Sequence, residues 1–136
     1  MVCKQLSPSQ LLARMRDHAQ EVLPPAGLNV RFQVPADLPD PALAPDLLHN
    51  LYLIYKEALH NAVKHARGAT LVTIGLTHEA GQLCLTVRDN APGPAPVARS
   101  GGRGLANMRQ RAEAMGGALH FVAEATGFGV VACLPG

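Results

Sequence analysis

The chain has 136 residues, of which 48% are hydrophobic and 16% are charged, and its formal net charge is +2. This composition excludes an intrinsically disordered chain, and the scattered basic residues with few aromatic residues exclude the surface typical of nucleic-acid binding. No apolar run reaches the roughly 18 residues of a membrane-spanning helix, and the first residues lack the apolar segment of a signal peptide. We therefore expect one globular domain over residues 1–136, with no nucleic-acid partner and no membrane segment.

The N-terminal part of the sequence predicts a helix followed by a strand. Ser7-Pro8 combines a hydroxyl N-cap with proline at the first helical position, and the apolar residues that follow recur at helical spacing up to Pro24-Pro25. The alternation of apolar residues from Leu28 to Val34 indicates a half-buried strand. The segment from Pro35 to Pro45 contains too many prolines for a helix, so we expect a connection that crosses a sheet edge.

A long helix is predicted from about Pro45 to His65, and its polar residues are the most informative feature of the sequence. Glu57, Asn61 and Lys64 recur at i, i+4 and i+7, which places them within a narrow arc of one helix face. A carboxylate, an amide and an ammonium along a mostly buried helix are costly to desolvate unless something pairs with them. A metal-bound polyphosphate is one such partner.

The second half of the sequence predicts two hairpins, a glycine-rich loop and a helix. The elements are strands over Thr70–Thr77 and Gln82–Asp89, a loop over Asn90–Gly104, a helix over Leu105–Met115 that ends at Gly116-Gly117, and strands over Ala118–Ala123 and Val130–Leu134. Strands joined mostly by hairpins favour antiparallel pairing. We therefore predict a two-layer α/β sandwich, in which three helices cover one face of a mixed, mostly antiparallel sheet.

The three cysteines, Cys3, Cys84 and Cys133, do not have the spacing of metal ligands. Cys84 and Cys133 lie within apolar strand patterns, which indicates two small buried thiols. This interpretation fits a reducing cytosol.

The glycine-rich loop is a second candidate for ligand binding. It begins at the end of a strand with Asp89-Asn90-Ala91-Pro92-Gly93 and ends at a helix start with Gly101-Gly102-Arg103-Gly104-Leu105. Glycines let the backbone approach a ligand, and the N–H groups of a helix N-terminus attract phosphate. Taken alone, the same residues also fit a flexible surface loop with an ordinary helix cap. A strand-end aspartate can likewise accept from an exocyclic amine such as that of adenine, or cap a turn.

The polar helix face, the strand-end aspartate and the double-glycine helix start, in that order, resemble the ATP-binding fold of the GHKL or Bergerat family. This family includes sensor histidine kinases, type II topoisomerases, mismatch-repair ATPases and certain chaperones. Residues 51–66 look like the N box of histidine kinases that signal to NarL-type response regulators. The pattern Gly102-x-Gly104-Leu105-x-x-Met108-x-x-Arg111-Ala112, followed by two glycines, is similar to the second glycine box of that group.

The resemblance implies ATP and Mg²⁺ as cofactors and assigns roles to residues of this chain. Asn61 would bind Mg²⁺ through its side-chain oxygen, and Glu57 would orient or deprotonate the attacking group or its water. The remaining expected ATP-binding residues are Lys64 and His65 near the phosphates, Asp89 at the adenine amino group, Gly93 in the base pocket, and Gly102, Gly104 and Leu105 where the loop closes over the triphosphate.

Two departures from the family pattern bear on function. Ala91 replaces the first glycine of the Asp-x-Gly-x-Gly box, which would cost about 1 kcal/mol or more if this position needed a positive φ. A complete kinase phosphorylates a histidine that lies on a dimerising helical hairpin and is followed by an acidic residue. None of the six histidines here meets both conditions. His78 precedes an acidic residue but lies at a strand end beside a turn, and His18 on the first helix is followed by Ala19.

The resemblance therefore implies a catalytic domain that transfers the γ-phosphate of ATP to a histidine on a separate, histidine-bearing dimerisation domain. A NarL-type response regulator would act downstream. The domain would be cytoplasmic, and this location would also fit the cytoplasmic part of a membrane sensor. Two alternatives stay open, a free-standing serine kinase of the anti-sigma-factor type and a nucleotide-binding module without transfer activity.

Overall fold

Three helices and five strands form the described part of the computed structural model, which covers residues 7–35, 44–92, 103–124 and 126–136. The helices are α1 (Pro8–Val22), α2 (Pro45–His65) and α3 (Arg103–Ala114). The strands are β1 (Asn29–Gln33), β2 (Leu71–Glu79), β3 (Gln82–Asp89), β4 (Ala118–Glu124) and β5 (Gly127–Pro135). Most of the predicted 35–45 connection and residues 93–102 of the glycine-rich loop lie outside the described residues. No helix within these ranges is both long enough and apolar enough to cross a membrane.

The five strands form one sheet in the order β1-β2-β3-β5-β4. The β1–β2 pair is parallel, because α2 carries the chain across the sheet between them, and the other three pairs are antiparallel. The turn between β2 and β3 has positive φ at both Ala80 and Gly81, 51° and 73°, as a tight two-residue hairpin turn requires. The prediction of a mixed, mostly antiparallel sheet is confirmed.

The three helices lie on one face of the sheet. Alternate residues of β2, β3 and β5 are buried against them, among them Ile74, Leu85 and Ala132. The alternate residues on the opposite face are half-buried or exposed, apart from the buried Gly127 and Gly129, and no described helix packs on them. This is the two-layer sandwich predicted from the sequence.

Helix α2 lies between α1 and α3 and organises the helical layer. Helix α1 begins with a capping box, in which the Ser7 hydroxyl accepts from the Gln10 backbone and the Gln10 side chain accepts from the Ser7 backbone. Tyr55 of α2 donates its hydroxyl to the carbonyl of Met15, 2.6 Å away, inside the α1–α2 contact. Burial raises the pKa of Tyr55 well above its ordinary value, so this hydroxyl stays a hydrogen-bond donor.

The prediction of two separate buried thiols at Cys84 and Cys133 is wrong. The two residues face each other directly across β3 and β5, their Cα atoms are 4.1 Å apart, and a disulfide joins them. Both side chains are half-buried. The reason is the period of the strands: Leu83 and Leu85 occupy the core face of β3, so Cys84 between them points to the opposite face.

Candidate functional site

The polar face of α2 lies at the border of the buried layer. Glu57 and Asn61 are half-buried and Lys64 is exposed, while the neighbouring Ala58 and Ala62 are buried in the core. Within the described ranges, the side chains of Glu57 and Asn61 have no hydrogen-bond or ion-pair partner. Half-buried polar groups without partners are costly. Their presence here favours a site at which a polar ligand supplies the missing contacts.

A groove of about 410 Å³ separates α2 from α3, and Glu57 lies in its wall. It is lined by Leu53, Lys56, Glu57, His60, Asn107, Met108 and Arg111. The groove therefore combines one carboxylate with basic side chains from both helices. Sequence reasoning did not assign Lys56, His60 or Asn107 to a site. The helical spacing of positions 107, 108 and 111 in α3 could have shown that these residues share one helix face.

Asp89 ends β3 as a buried carboxylate. It is 4% exposed, and no other Asp, Glu, Lys, Arg or His residue in the described ranges is buried. Its Oδ1 accepts a hydrogen bond from the backbone N–H of Ala91 at 3.0 Å. Like Val87 two residues before it, Asp89 faces the helical layer rather than the open side of the sheet.

The turn after Asp89 is tied to the segment that follows α2. Oδ1 of Asn90 accepts from the backbone N–H groups of Thr70 and Leu71 at 2.8 and 3.0 Å, and its amide donates to the Thr70 hydroxyl at 2.9 Å. Gly68, at φ 81°, lies so close to Pro92 that an added β-carbon would be 3.1 Å from the proline Cδ. These contacts place Asp89 at the same end of the fold as the C-terminal turns of α2.

The N-terminus of α3 lies at this end as well. The amide of Asn50, near the start of α2, contacts the sulfur of Met115, just after the end of α3, at 3.4 Å. The two helices pack against each other, so the start of α3 lies toward the C-terminal end of α2. Gly104 is in the first turn of α3, and Leu105 beside it is 4% exposed and packs in the core.

Of the other expected ATP-binding residues, His65 is described by the structure, whereas Gly93 and Gly102 are not. His65 is the last residue of α2 and is half-buried. Gly93 and Gly102 lie outside the described residues. The structure therefore brings the polar face of α2, the Asp89 turn and the start of α3 to one end of the fold, but it does not describe the loop between them.

Ala91 is not strained. Ala80 is the only described non-glycine residue with a positive φ, so the backbone at position 91 adopts a conformation open to any residue. The methyl group of Ala91 is buried, at 9% exposure. The conformational cost that an alanine would carry in a left-handed turn does not arise here.

The donor set fits a magnesium ion that is held mainly by a ligand. The described ranges contain no group of three or more His, Cys, Asp or Glu residues that could hold a metal by themselves. Asn61 offers one amide oxygen that has no partner in the part of the chain that the structure describes. Mg²⁺ prefers oxygen ligands and often combines one or two protein contacts with phosphates and water. Residues at this end of the fold could therefore hold it together with a polyphosphate.

Residues 47–135 match the family described as "Histidine kinase-, DNA gyrase B-, and HSP90-like ATPase". The chain belongs to this family. Among curated members, it is 33% identical over 115 residues to the sensor histidine kinase LnrJ of Bacillus subtilis, which covers 84% of this chain and 27% of LnrJ. It is 38% identical over 85 residues to the nitrate/nitrite sensor protein NarQ of Escherichia coli, which covers 62% of this chain and 15% of NarQ. The chain thus spans about a quarter or less of these relatives.

Solved structures agree with the ATPase fold. A histidine kinase domain from Erythrobacter litoralis EL346 superposes with a TM-score of 0.73 at 20% identity, covering 99% of this chain and 65% of that one. Full-length ShkA in complex with AMPPNP superposes with a TM-score of 0.70 at 25% identity, covering 99% of this chain and 32% of that one. These matches and the curated relatives confirm the resemblance to histidine kinases, so the chain is an ATPase domain of the histidine kinase type.

Proposed function

We propose that this domain binds Mg²⁺-ATP and transfers the γ-phosphate to a histidine on a separate dimerisation domain of a two-component sensor kinase. The observation that carries the proposal is a convergence at one end of the fold. A buried strand-end carboxylate, Asp89, lies there with Glu57 and Asn61, two half-buried polar side chains on α2 that have no partner among the described residues. Residues 1–136 would act as one domain in this role.

Asp89 would recognise the adenine base. A buried carboxylate is a stronger acceptor for an exocyclic amine than an amide is. The N–H of Ala91 donates to Oδ1 and so holds the carboxylate in one orientation. Gly93 would shape the base pocket.

Asn61 would hold Mg²⁺ together with phosphate oxygens, and the ion would neutralise charge on the triphosphate. Lys64 and His65, on the following turn of α2, would lie near the phosphates. Gly102 and Gly104 would let the loop close over the triphosphate. Leu105 lies in the first turn of α3, where backbone N–H groups attract a bound anion.

Glu57 would orient the attacking group. Its carboxylate lies in the groove between α2 and α3, with His60 and Arg111 in the same walls. A phosphoacceptor imidazole that enters this groove would meet a carboxylate able to accept its N–H. Phosphoryl transfer depends mainly on such positioning and on charge neutralisation.

The similarity of residues 51–66 to the N box of kinases that act on NarL-type response regulators supports such a regulator as the downstream partner. The domain would work in the cytoplasm, either as a free-standing protein or as the cytoplasmic part of a membrane sensor. Its relatives are several times longer than this chain, which supports a phosphoacceptor domain in the same or another polypeptide.

The test has two stages. First, the melting temperature of the chain is measured with ATP, with Mg²⁺-ATP and with Mg²⁺ alone; ligand at about a hundredfold excess over Kd should add roughly 2.7 kcal/mol of stability. Second, the chain is mixed with γ-labelled ATP and a histidine-bearing dimerisation domain of a NarL-type kinase. Acid-labile label on the added domain, lost with Glu57→Gln, is the expected result.

Other outcomes would separate the alternatives. A melting shift without transfer would favour a nucleotide-binding module. Acid-stable label on a serine substrate would favour an anti-sigma-factor type of kinase. The absence of any shift with millimolar Mg²⁺-ATP would contradict nucleotide binding itself.

A further inference from the structure

The disulfide partners Cys84 and Cys133 are held side by side by the backbone, independently of the bond between them. They are directly opposed residues of β3 and β5, which pair continuously from Gln82 with Pro135 to Asp89 with Phe128. The ladder therefore fixes the register of the two strands. When the sulfur–sulfur bond is open, the two thiols remain neighbours.

The sulfur atoms lie on the face of the sheet that no described helix covers. In the same row of the sheet, Thr77 of β2 lies beside Cys84 and Ala118 of β4 lies beside Cys133. Both neighbours are small and exposed. A small oxidant or reductant can approach the pair from solvent without any movement of the core.

We propose that Cys84 and Cys133 form a reversible thiol–disulfide redox site, oxidised by a peroxide and reduced by a dithiol. One thiol loses its proton, the thiolate attacks an oxygen of hydrogen peroxide, and the O–O bond breaks to give a sulfenic acid; the leaving hydroxide takes up the released proton and becomes water. The second thiol attacks this sulfur, the S–O bond breaks, and a second water leaves. Two thiols and one hydrogen peroxide thus give one disulfide and two waters, with two electrons passing from sulfur to oxygen. A dithiol then reduces the disulfide by exchange through a mixed disulfide, restores the two thiols and is itself oxidised to a disulfide.

The effect of oxidation should be on stability rather than on nucleotide binding. The bond closes a loop between residues that are 49 positions apart, which restricts the unfolded chain. The pair lies on the face opposite α2, away from the end of the sheet that carries Asp89. The oxidised chain should melt several degrees higher than the reduced chain, with the Kd for ATP unchanged within about twofold.

The experiment uses the full chain with Cys3→Ser, which removes the third cysteine. The folded protein is treated with hydrogen peroxide, the remaining thiols are blocked with N-ethylmaleimide, and the mass is measured. We expect monomer that has lost two hydrogens and takes up no maleimide. Dithiothreitol added to the folded protein should restore both alkylation sites.

A matched control moves one thiol to the next row on the same face, with Cys84→Thr and Thr86→Cys in the Cys3→Ser background. That thiol opposes Val131 and is diagonal to Cys133, and diagonal residues lie roughly 7–8 Å apart, too far for a disulfide. The control should keep both alkylation sites after peroxide. If it does not fold, urea-denatured Cys3→Ser protein replaces it and should oxidise about tenfold more slowly or worse, because its thiols are no longer neighbours.

Three results would overturn the proposal. The first is a folded Cys3→Ser chain that still alkylates at both cysteines after peroxide. The second is a control that forms the intramolecular disulfide equally well. The third is a bond that dithiothreitol cannot reduce until the chain unfolds, which would make it a fixed structural crosslink.

Discussion

The backbone N–H of Ala91 donates a 3.0 Å hydrogen bond to Oδ1 of Asp89. The residue that departs from the family's glycine pattern is therefore the residue that orients the carboxylate expected to read adenine. Ala91 does so in an ordinary backbone conformation, with its methyl group buried. Alanine at this position is compatible with a working base pocket.

Ala91→Gly should change nucleotide affinity by less than about threefold, because the N–H donor and the backbone conformation are both retained. It should lower the free energy of unfolding by roughly 0.5–1 kcal/mol, since glycine gains freedom in the unfolded chain. Isothermal titration with ATP and urea unfolding measure the two effects. A tenfold gain in affinity would show that alanine restricts the pocket after all.

Asp89→Asn should weaken ATP binding by about tenfold, or 1.4 kcal/mol, because a neutral amide is a weaker acceptor than a carboxylate. The matched control is Glu124→Gln, which removes a carboxylate that is paired with Arg88 on the exposed side of the same region. Fluorescence titration with an adenine nucleotide analogue measures both variants. Equal affinity of Asp89→Asn and the parent would remove the adenine assignment.

Asn61→Ala should remove the contribution of Mg²⁺ to ATP binding and leave part of the affinity for ATP without metal. The amide oxygen is the group expected to reach the ion, whereas the base contacts lie elsewhere. Asn29→Ala changes an exposed asparagine on β1 and serves as the control. The comparison is the ratio of Kd values with and without Mg²⁺; an unchanged ratio in Asn61→Ala would contradict the metal assignment.

His18 should make stability fall at mildly acidic pH. Burial, and then the nearby positive charge of Lys56, lower its pKa below the ordinary value of 6.5, while Glu21 acts in the opposite direction. The unfolded chain therefore binds a proton more readily, so this contribution is fully present above pH 6.5 and is lost as the pH falls toward the lowered pKa. Urea midpoints from pH 7 down to pH 5 should fall less for His18→Gln than for the parent. Identical slopes would rule out His18 as the cause.

The chain alone should not phosphorylate itself on histidine. His60 and His65 are on α2 itself, and a rigid helix cannot turn them into line with the γ-phosphate of a nucleotide bound along that helix. Only slow ATP hydrolysis is expected, with Glu57 orienting water. The check is incubation with γ-labelled ATP followed by acid. Acid-labile, base-stable label would point to an internal acceptor, and His18→Gln would then be the first variant to examine.

Elements with strong local signals were predicted closely from the sequence. The bounds of α2 agree at Pro45 and His65, because a proline at the helix start and a periodic apolar face both act within a few residues. The half-buried position of Glu57 and Asn61 follows from the same periodicity. The roles of these residues stay predictions.

Features that depend on contacts between distant parts of the chain could not be predicted from local sequence patterns. The opposition of Cys84 and Cys133 requires the register of β3 with β5, which no local pattern specifies. The participation of Asn107 in the groove depends on how α3 packs on α2. A conformational cost was expected at Ala91 because the sequence shows that a glycine is missing there but does not show the φ at that position.

The insertion of β5 between β3 and β4 also has a consequence for the order of folding. Two strand pairs are non-local, because Asn29 with Leu71 closes the chain across residues 30–70 and Asp89 with Phe128 closes it across residues 90–127. The β2–β3 and β4–β5 pairs are instead formed by strands that follow each other directly in the chain. Non-local pairs of this kind lose the conformational entropy of loop closure before their contacts stabilise the chain. We therefore expect the β2–β3 and β4–β5 hairpins to form before β5 pairs with β3, so that the β3 end at Asp89 is completed only in a later step of folding.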